Sequence, residues 1–137
     1  MKVRLGEWDA STSTEPIPAQ EFQVSRIFIN PSFNAANLRN SIAILRLSSA
    51  VPLGQTPTIT FGCLPSAPIT GMRCYTSGWG KNDFINGVYQ SILKEVDVPI
   101  VDSNTCQNLL RATRLGSNFQ LDTTSFMCAG GEAGKDA

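Results

Sequence analysis

The sequence predicts an all-β protein with one short helix. Three observations carry this expectation: short apolar runs broken by turn residues, period-two alternation, and a single stretch with a helix cap. Met1 to Gly6 reads as a strand-like start, without the basic stretch, apolar core and small-residue cleavage site of a signal peptide. Phe22 and Val24, followed by Ile27 and Ile29, form the next run, which stops at the turn Asn30-Pro31-Ser32. Ile42 to Leu47 is almost continuously apolar and reads as a strand buried on both faces. Between about Val51 and Arg73 the chain carries Pro52, Pro57, Pro65 and Pro68 with Gly54, Gly62 and Gly71, the composition of a connector. Val96, Val98 and Ile100 alternate with Asp97 and Pro99, and a proline without an N–H places that strand at an edge or a bulge. The helix follows at about 103–113, where Asp102-Ser103-Asn104 can cap a run containing Leu109, Leu110 and Arg111.

Composition excludes several classes of function. The 137 residues are 42% hydrophobic and 16% charged, as in a globular protein, and eleven basic residues balance eleven acidic ones. A chain without net charge has no field to draw it to nucleic acid or an anionic membrane surface. Its apolar runs are too short to span a bilayer, and the densest is interrupted by Arg46. Cys63, Cys74, Cys106 and Cys128 lack the close pairing of a zinc or redox motif. Wide spacing favours structural disulfides and an oxidising compartment; buried free thiols are the other reading. The chain contains no histidine, the residue most often used as a general base near neutral pH. Trp79, within Ser77-Gly78-Trp79-Gly80, reads as a packing residue rather than a ligand platform.

Five segments, in order, carry a family resemblance. They are Val3-Arg4-Leu5-Gly6-Glu7, Ile29-Asn30-Pro31-Ser32-Phe33, Asn40-Ser41-Ile42-Ala43-Ile44-Leu45-Arg46-Leu47, Cys74-Tyr75-Thr76-Ser77-Gly78-Trp79-Gly80, and Met127-Cys128-Ala129-Gly130 running on to Gly134-Lys135-Asp136-Ala137. Together they resemble the trypsin-like serine proteases of the chymotrypsin fold, over the whole chain. The resemblance implies a double β-barrel, incomplete at both ends: residues 1–50 in the first barrel, 51–73 between the barrels, 74–137 in the second. In the family an A-A-H-C segment before this span supplies the catalytic histidine, and a G-D-S-G-G-P loop beyond it supplies the nucleophile. Counterparts of Cys106 and Cys128 pair with each other. Those of Cys63 and Cys74 pair outside the span, Cys63 often with an N-terminal clip-type regulatory domain.

What the resemblance implies for function turns on Ser41. The family motif reads N-D-I-A-L-L, with its aspartate as the third triad member, and here that position is serine. A hydroxyl carries no charge to stabilise an imidazolium. The sequence is accordingly similar to the clip-domain serine protease homologues of invertebrates. That implies a secreted, non-catalytic protein acting as a binding cofactor in an extracellular, innate immune protease cascade, with other cascade proteins as partners and no cofactor of its own. The alternative is an incomplete sequence of an active trypsin-like endopeptidase cleaving after Arg or Lys. Asp136 matches the aspartate at the floor of the primary specificity pocket, a role it could fill only in the intact domain. Glu7, Asp9, Glu15 and Glu21 fall where some relatives bind calcium, against the plainer reading of a solvated acidic loop.

Overall fold

The computed structural model describes residues 1–83 and 85–135. It consists of strands β1 (Lys2–Leu5), β2 (Gln20–Ile29), β3 (Ala43–Leu47), β4 (Arg73–Gly78), β5 (Lys94–Val101) and β6 (Cys128–Ala129), with one helix, α1 (Ser103–Arg111), between β5 and β6. The strands form two three-stranded sheets, ordered β1-β2-β3 and β4-β5-β6. The chain divides into two compact units. The first comprises Met1–Pro31, Ile42–Leu64 and Gly78–Lys94; the second comprises Ser32–Ser41, Pro65–Ser77 and the residues from Glu95 onward.

In the first unit β2 does two jobs. Its first half pairs antiparallel with β1, Val3 opposite Phe22, and its second half pairs antiparallel with β3, Phe28 opposite Ile44. The register shifts between Val24 and Arg26, a bulge at Ser25. The Ser25 hydroxyl lies 3.1 Å from the Arg46 carbonyl oxygen and 3.3 Å from that of Leu47, so the side chain fills the gap that the bulge opens in the ladder. Phe22 and Ile59 are buried here. Gly6 turns the chain at φ +74°, and a Cβ on it would lie 3.0 Å from Thr58 Oγ1 and 3.2 Å from Ile59 Cγ1. Both the left-handed backbone and the close approach therefore require glycine.

β3 corrects one expectation. Its apolar run predicts a strand buried on both faces, yet Ile42 and Ile44 are 66% and 68% exposed and only Leu47 is half-buried. Among the described residues β3 has β2 as its only ladder partner, and its side chains gain little shielding beyond it. Continuous apolarity records what a strand can bury, not what covers it.

The second unit has a tighter centre, with Val98, Ile100 and Cys106 all buried. Of the edge or bulge expected at Pro99, the edge is excluded, since β5 is the middle strand of its sheet. Ile100 bonds toward the β4 side: its N–H donates to the Met72 carbonyl and its own carbonyl accepts from Gly71. Pro99 therefore faces β6, which ends at Ala129, and its carbonyl accepts from the Gly130 N–H at 2.9 Å. The N–H that proline lacks points where the ladder stops, so a central strand tolerates it.

Helix α1 starts as its cap residue dictates. The Asp102 carboxylate accepts from the backbone N–H of Asn104 at 3.1 Å and of Thr105 at 2.8 Å. These bonds hold its carboxyl below the usual carboxylate range, the Thr105 hydroxyl being the largest contributor. The helix ends at Arg111, two residues short of the expected boundary, where the Thr113 hydroxyl donates back to the Leu110 carbonyl at 2.6 Å. Because β5 supplies most of this unit's buried apolar surface, Ile100→Ala is expected to destabilise the chain by about 2–4 kcal/mol in urea unfolding. Truncation of the exposed Ile85 should leave the midpoint nearly unchanged.

Candidate functional site

Ser41 closes a polar turn just before β3. Asn34, Asn37 and Asn40 shape the approach. The Asn34 Oδ1 accepts from the Ala36 N–H at 2.9 Å, the Asn37 Oδ1 accepts from the Arg39 N–H at 3.1 Å, and the Asn34 N–H donates to the Arg39 carbonyl at 3.0 Å. Side chains that mimic backbone turns let the chain take left-handed conformations at Leu38 (φ 60°) and Asn40 (φ 56°). Asparagine tolerates that region readily and leucine does not, so Leu38 is held there by its neighbours.

Asn40 is tied down on both sides. Its Nδ2 donates to the Ser32 carbonyl at 3.1 Å, and its Oδ1 lies 3.3 Å from the Ser125 hydroxyl. That hydroxyl also lies 2.9 Å from Asp122 Oδ2, and Arg39 Nε lies 3.1 Å from the same carboxylate oxygen. The Thr124 hydroxyl donates to Asp122 Oδ1 at 2.6 Å. With Thr124 as the largest cause, followed by Ser125 and with Arg39 as a smaller one, the Asp122 carboxyl is held below its ordinary range. The result is a charged, hydrogen-bonded cluster that fixes the backbone beside Ser41, while Ser41 itself is exposed and uncharged. Sequence reasoning missed Arg39, Asp122 and Ser125. The readable signal was Asp122-Thr123-Thr124-Ser125, a pattern that closes Asx and ST turns.

A second cluster anchors the segment leading to Asp136. Arg73 on β4 makes a two-pronged contact with Glu132, 2.9 Å on each arm, and its Nε donates to Asp97 on β5 at 2.7 Å. Lys135 Nζ meets the other oxygen of Asp97 at 2.6 Å. Lys135 first and Arg73 second push the Asp97 carboxyl down to about 2. Arg73 is raised above its ordinary value, chiefly by its bond to Glu132. Because the folded value lies below the ordinary 3.8, Asp97 stabilises the fold above that pH and loses the contribution as pH falls toward about 2. Acid titration followed by circular dichroism is therefore expected to show a stability loss across that window that Asp97→Asn lacks. Asp136, the specificity-pocket candidate, lies outside the described residues.

The acidic loop candidates are engaged by the chain's own donors. Arg4 reaches Glu7 at 2.6 Å and Glu21 at 3.2 Å, Lys2 also pairs with Glu21, and Glu15 Oε1 accepts from the Asp9 N–H at 3.0 Å. The Glu15 carboxyl is lowered first by that Asp9 N–H and then by a hydrogen bond with Glu7; Glu21 is lowered first by Lys2 and then by Arg4. Asp9 spends Oδ1 on the Ser11 N–H and hydroxyl. Among the described residues no three His, Cys, Asp or Glu side chains converge as a metal site.

The four cysteines fall into a bridged pair and two free thiols. Cys106 and Cys128 form a disulfide across 22 residues, while Cys63 is free and exposed and Cys74 is free and half-buried. Trp79 is half-buried, and its Nε1 donates to the Trp8 carbonyl at 3.2 Å, which agrees with a packing role. An open depression lined by Gly54, Gln55, Thr56, Pro57, Ile59 and Thr60 contains no titratable side chain to serve as an acid, base or nucleophile. No helix among the described residues is long and apolar enough to cross a membrane.

Two three-stranded sheets and a capped helix bridged by a disulfide to the following strand make a trypsin-like β architecture. The family model described as Trypsin matches residues 1–137, and the chain belongs to that family. It is 65% identical over its full length to "Inactive CLIP domain-containing serine protease A3" of Aedes aegypti, covering 29% of that protein. It is 49% identical to "Phenoloxidase-activating factor 2" of Galleria mellonella, with 99% of this chain and 45% of that protein aligned. It is 36% identical to "Inactive CLIP domain-containing serine protease A28" of Anopheles gambiae, with 98% of this chain and 35% of that protein aligned. The chain thus spans less than half the length of these relatives. Two of these three relatives are named as inactive clip-domain serine proteases.

Proposed function

We propose that the chain belongs to a secreted, catalytically inactive trypsin homologue that serves as a protein-binding cofactor or regulator in an extracellular proteolytic cascade of innate immunity. The observation that carries this reading is Ser41. It stands at the position matching the triad aspartate, exposed and uncharged, on a backbone that the Asn40–Ser125–Asp122–Arg39 cluster holds in place. The names of the Aedes and Galleria relatives support the inactive state and the cascade. In the same reading, residues 1–50 and 74–137 belong to the two barrels and 51–73 connects them. Asp136 lies at the specificity-pocket floor, and the exposed thiol of Cys63 links to an N-terminal regulatory domain.

The test uses the full-length protein after cleavage by its activating protease. Hydrolysis of an arginyl ester is expected to stay at background while the same preparation accelerates phenoloxidase activation by a separate, active protease. Trypsin-like ester turnover would sink the inactive reading, and the absence of any acceleration would sink the cofactor reading.

A further inference from the structure

We propose that the exposed face carrying Arg26, Phe28, Ile44 and Arg46 is a docking surface for an acidic peptide segment of a partner protein. This inference is independent of catalysis and stands whether or not the intact protein hydrolyses peptides.

The geometry is set by the β2–β3 register. Arg26 lies directly opposite Arg46, and Phe28 directly opposite Ile44. Side chains two residues apart on a strand share a face, so all four project from the same side of the sheet. Both guanidinium groups sit on the Phe28 ring, Arg26 at 4.9 Å and Arg46 at 5.4 Å from its centroid. Among the described residues neither arginine has a carboxylate within ion-pair distance, whereas Arg4, Arg39 and Arg73 are all paired with acids. Like charges directly opposite in a ladder are destabilising, and stacking on one shared ring offsets that only in part. The sheet therefore keeps two unneutralised cations where a single acidic residue would relieve the repulsion.

The composition of the face selects the ligand. Two arginines with forked donors suit carboxylates. Phe28, 37% exposed, and Ile44, 68% exposed, add an apolar floor beside them. Arginine next to an exposed aromatic ring is a pairing common at the energetic centre of protein interfaces. A sulfated polysaccharide would satisfy the charge but leave the apolar half of the face uncovered. An extended peptide with an acidic residue two positions from an apolar one, so that both share a face, satisfies both.

The experiment is fluorescence anisotropy of the chain with a fluorescein-labelled peptide, Glu-Glu-Phe-Phe-Glu-Glu-Ile-Ile, which places acidic and apolar side chains together on each face when extended, at low and at physiological salt. Binding is expected to weaken with salt and to fall by at least about tenfold when Arg26 and Arg46 are both changed to Ala, or when glutamine replaces glutamate in the peptide. Arg114→Ala, an exposed arginine in the other unit, should change nothing. Arg46→Glu separates docking from structure, because it places opposite charges across the ladder. It should abolish peptide binding while leaving the melting temperature unchanged or higher. Equal binding by the double variant or by the glutamine peptide would overturn the proposal. So would heparin binding in place of peptide binding, or a lower melting temperature for Arg46→Glu, which would assign the arginines to holding the sheet.

Discussion

Removing the Cys106–Cys128 bridge is expected to lower the stability of the chain by roughly 3 kcal/mol, the loop-closure entropy for a crosslink of this span. The bridge joins Cys106, the buried residue within α1, to β6 across the loop that carries Asp122 and Ser125. Two side chains strap the same loop to the helix: Arg111 Nε donates to the Phe119 carbonyl at 2.8 Å, and Gln107 Oε1 accepts from the Leu121 N–H at 2.9 Å. Neither strap involves a cysteine, so the loss is expected to be chiefly freedom returned to the unfolded chain. Urea denaturation of a Cys106→Ala, Cys128→Ala double variant should show the lowered midpoint. Cys74→Ala, which removes a half-buried free thiol, should leave it nearly in place. A double variant as stable as the parent would mean that the straps, not the bridge, hold this loop.

The second large effect concerns catalysis by the intact protein. In a trypsin-type triad the aspartate orients the histidine and stabilises the imidazolium, and asparagine in its place is known to lower kcat by about 10⁴-fold. Serine is shorter and equally uncharged, so a complete domain with Ser41 should turn over an arginyl ester at least about 10³-fold more slowly than an active relative. Active-site titration against steady-state rate separates this from a preparation that is merely misfolded. Rates within tenfold of trypsin would show that another carboxylate reaches the histidine.

Much of the fold was legible because its signals are local. Asp102 announced the helix through the chemistry of a cap, and Phe22 with Val24 announced β2 through alternation. The exposure of Ile42 and Ile44 was not legible, since whether a strand's face is covered depends on partners distant in sequence. Pro99 in a central strand was not legible for a related reason. Its tolerance depends on where β6 ends, a fact located some thirty residues further along. At the candidate site Ser41 is singled out by its place in the Asn40–Leu47 motif alone. The cluster that holds its backbone could not be found this way, because Arg39 and Asp122 meet only after the chain folds, and an arginine or aspartate in a polar loop is an ordinary solvated residue until its partner is known. The same is true of Arg73, Asp97, Glu132 and Lys135, four unremarkable charges that become one network.

The bulge at Ser25 acts as a phase shifter for β2. The strand meets β1 with one parity of side chains and, after the extra residue, meets β3 with the other. Deleting Ser25 would leave Val24 followed directly by Arg26, so the pairs Val24–Leu47 and Arg26–Arg46 would close into a regular ladder and the bulge, with the local twist it adds, would be lost. The extra residue lets Val24 and Arg26, two positions apart in sequence, project from opposite faces, so the odd-numbered side chains from Ile27 onward take over the face that Phe22 and Val24 occupy before it.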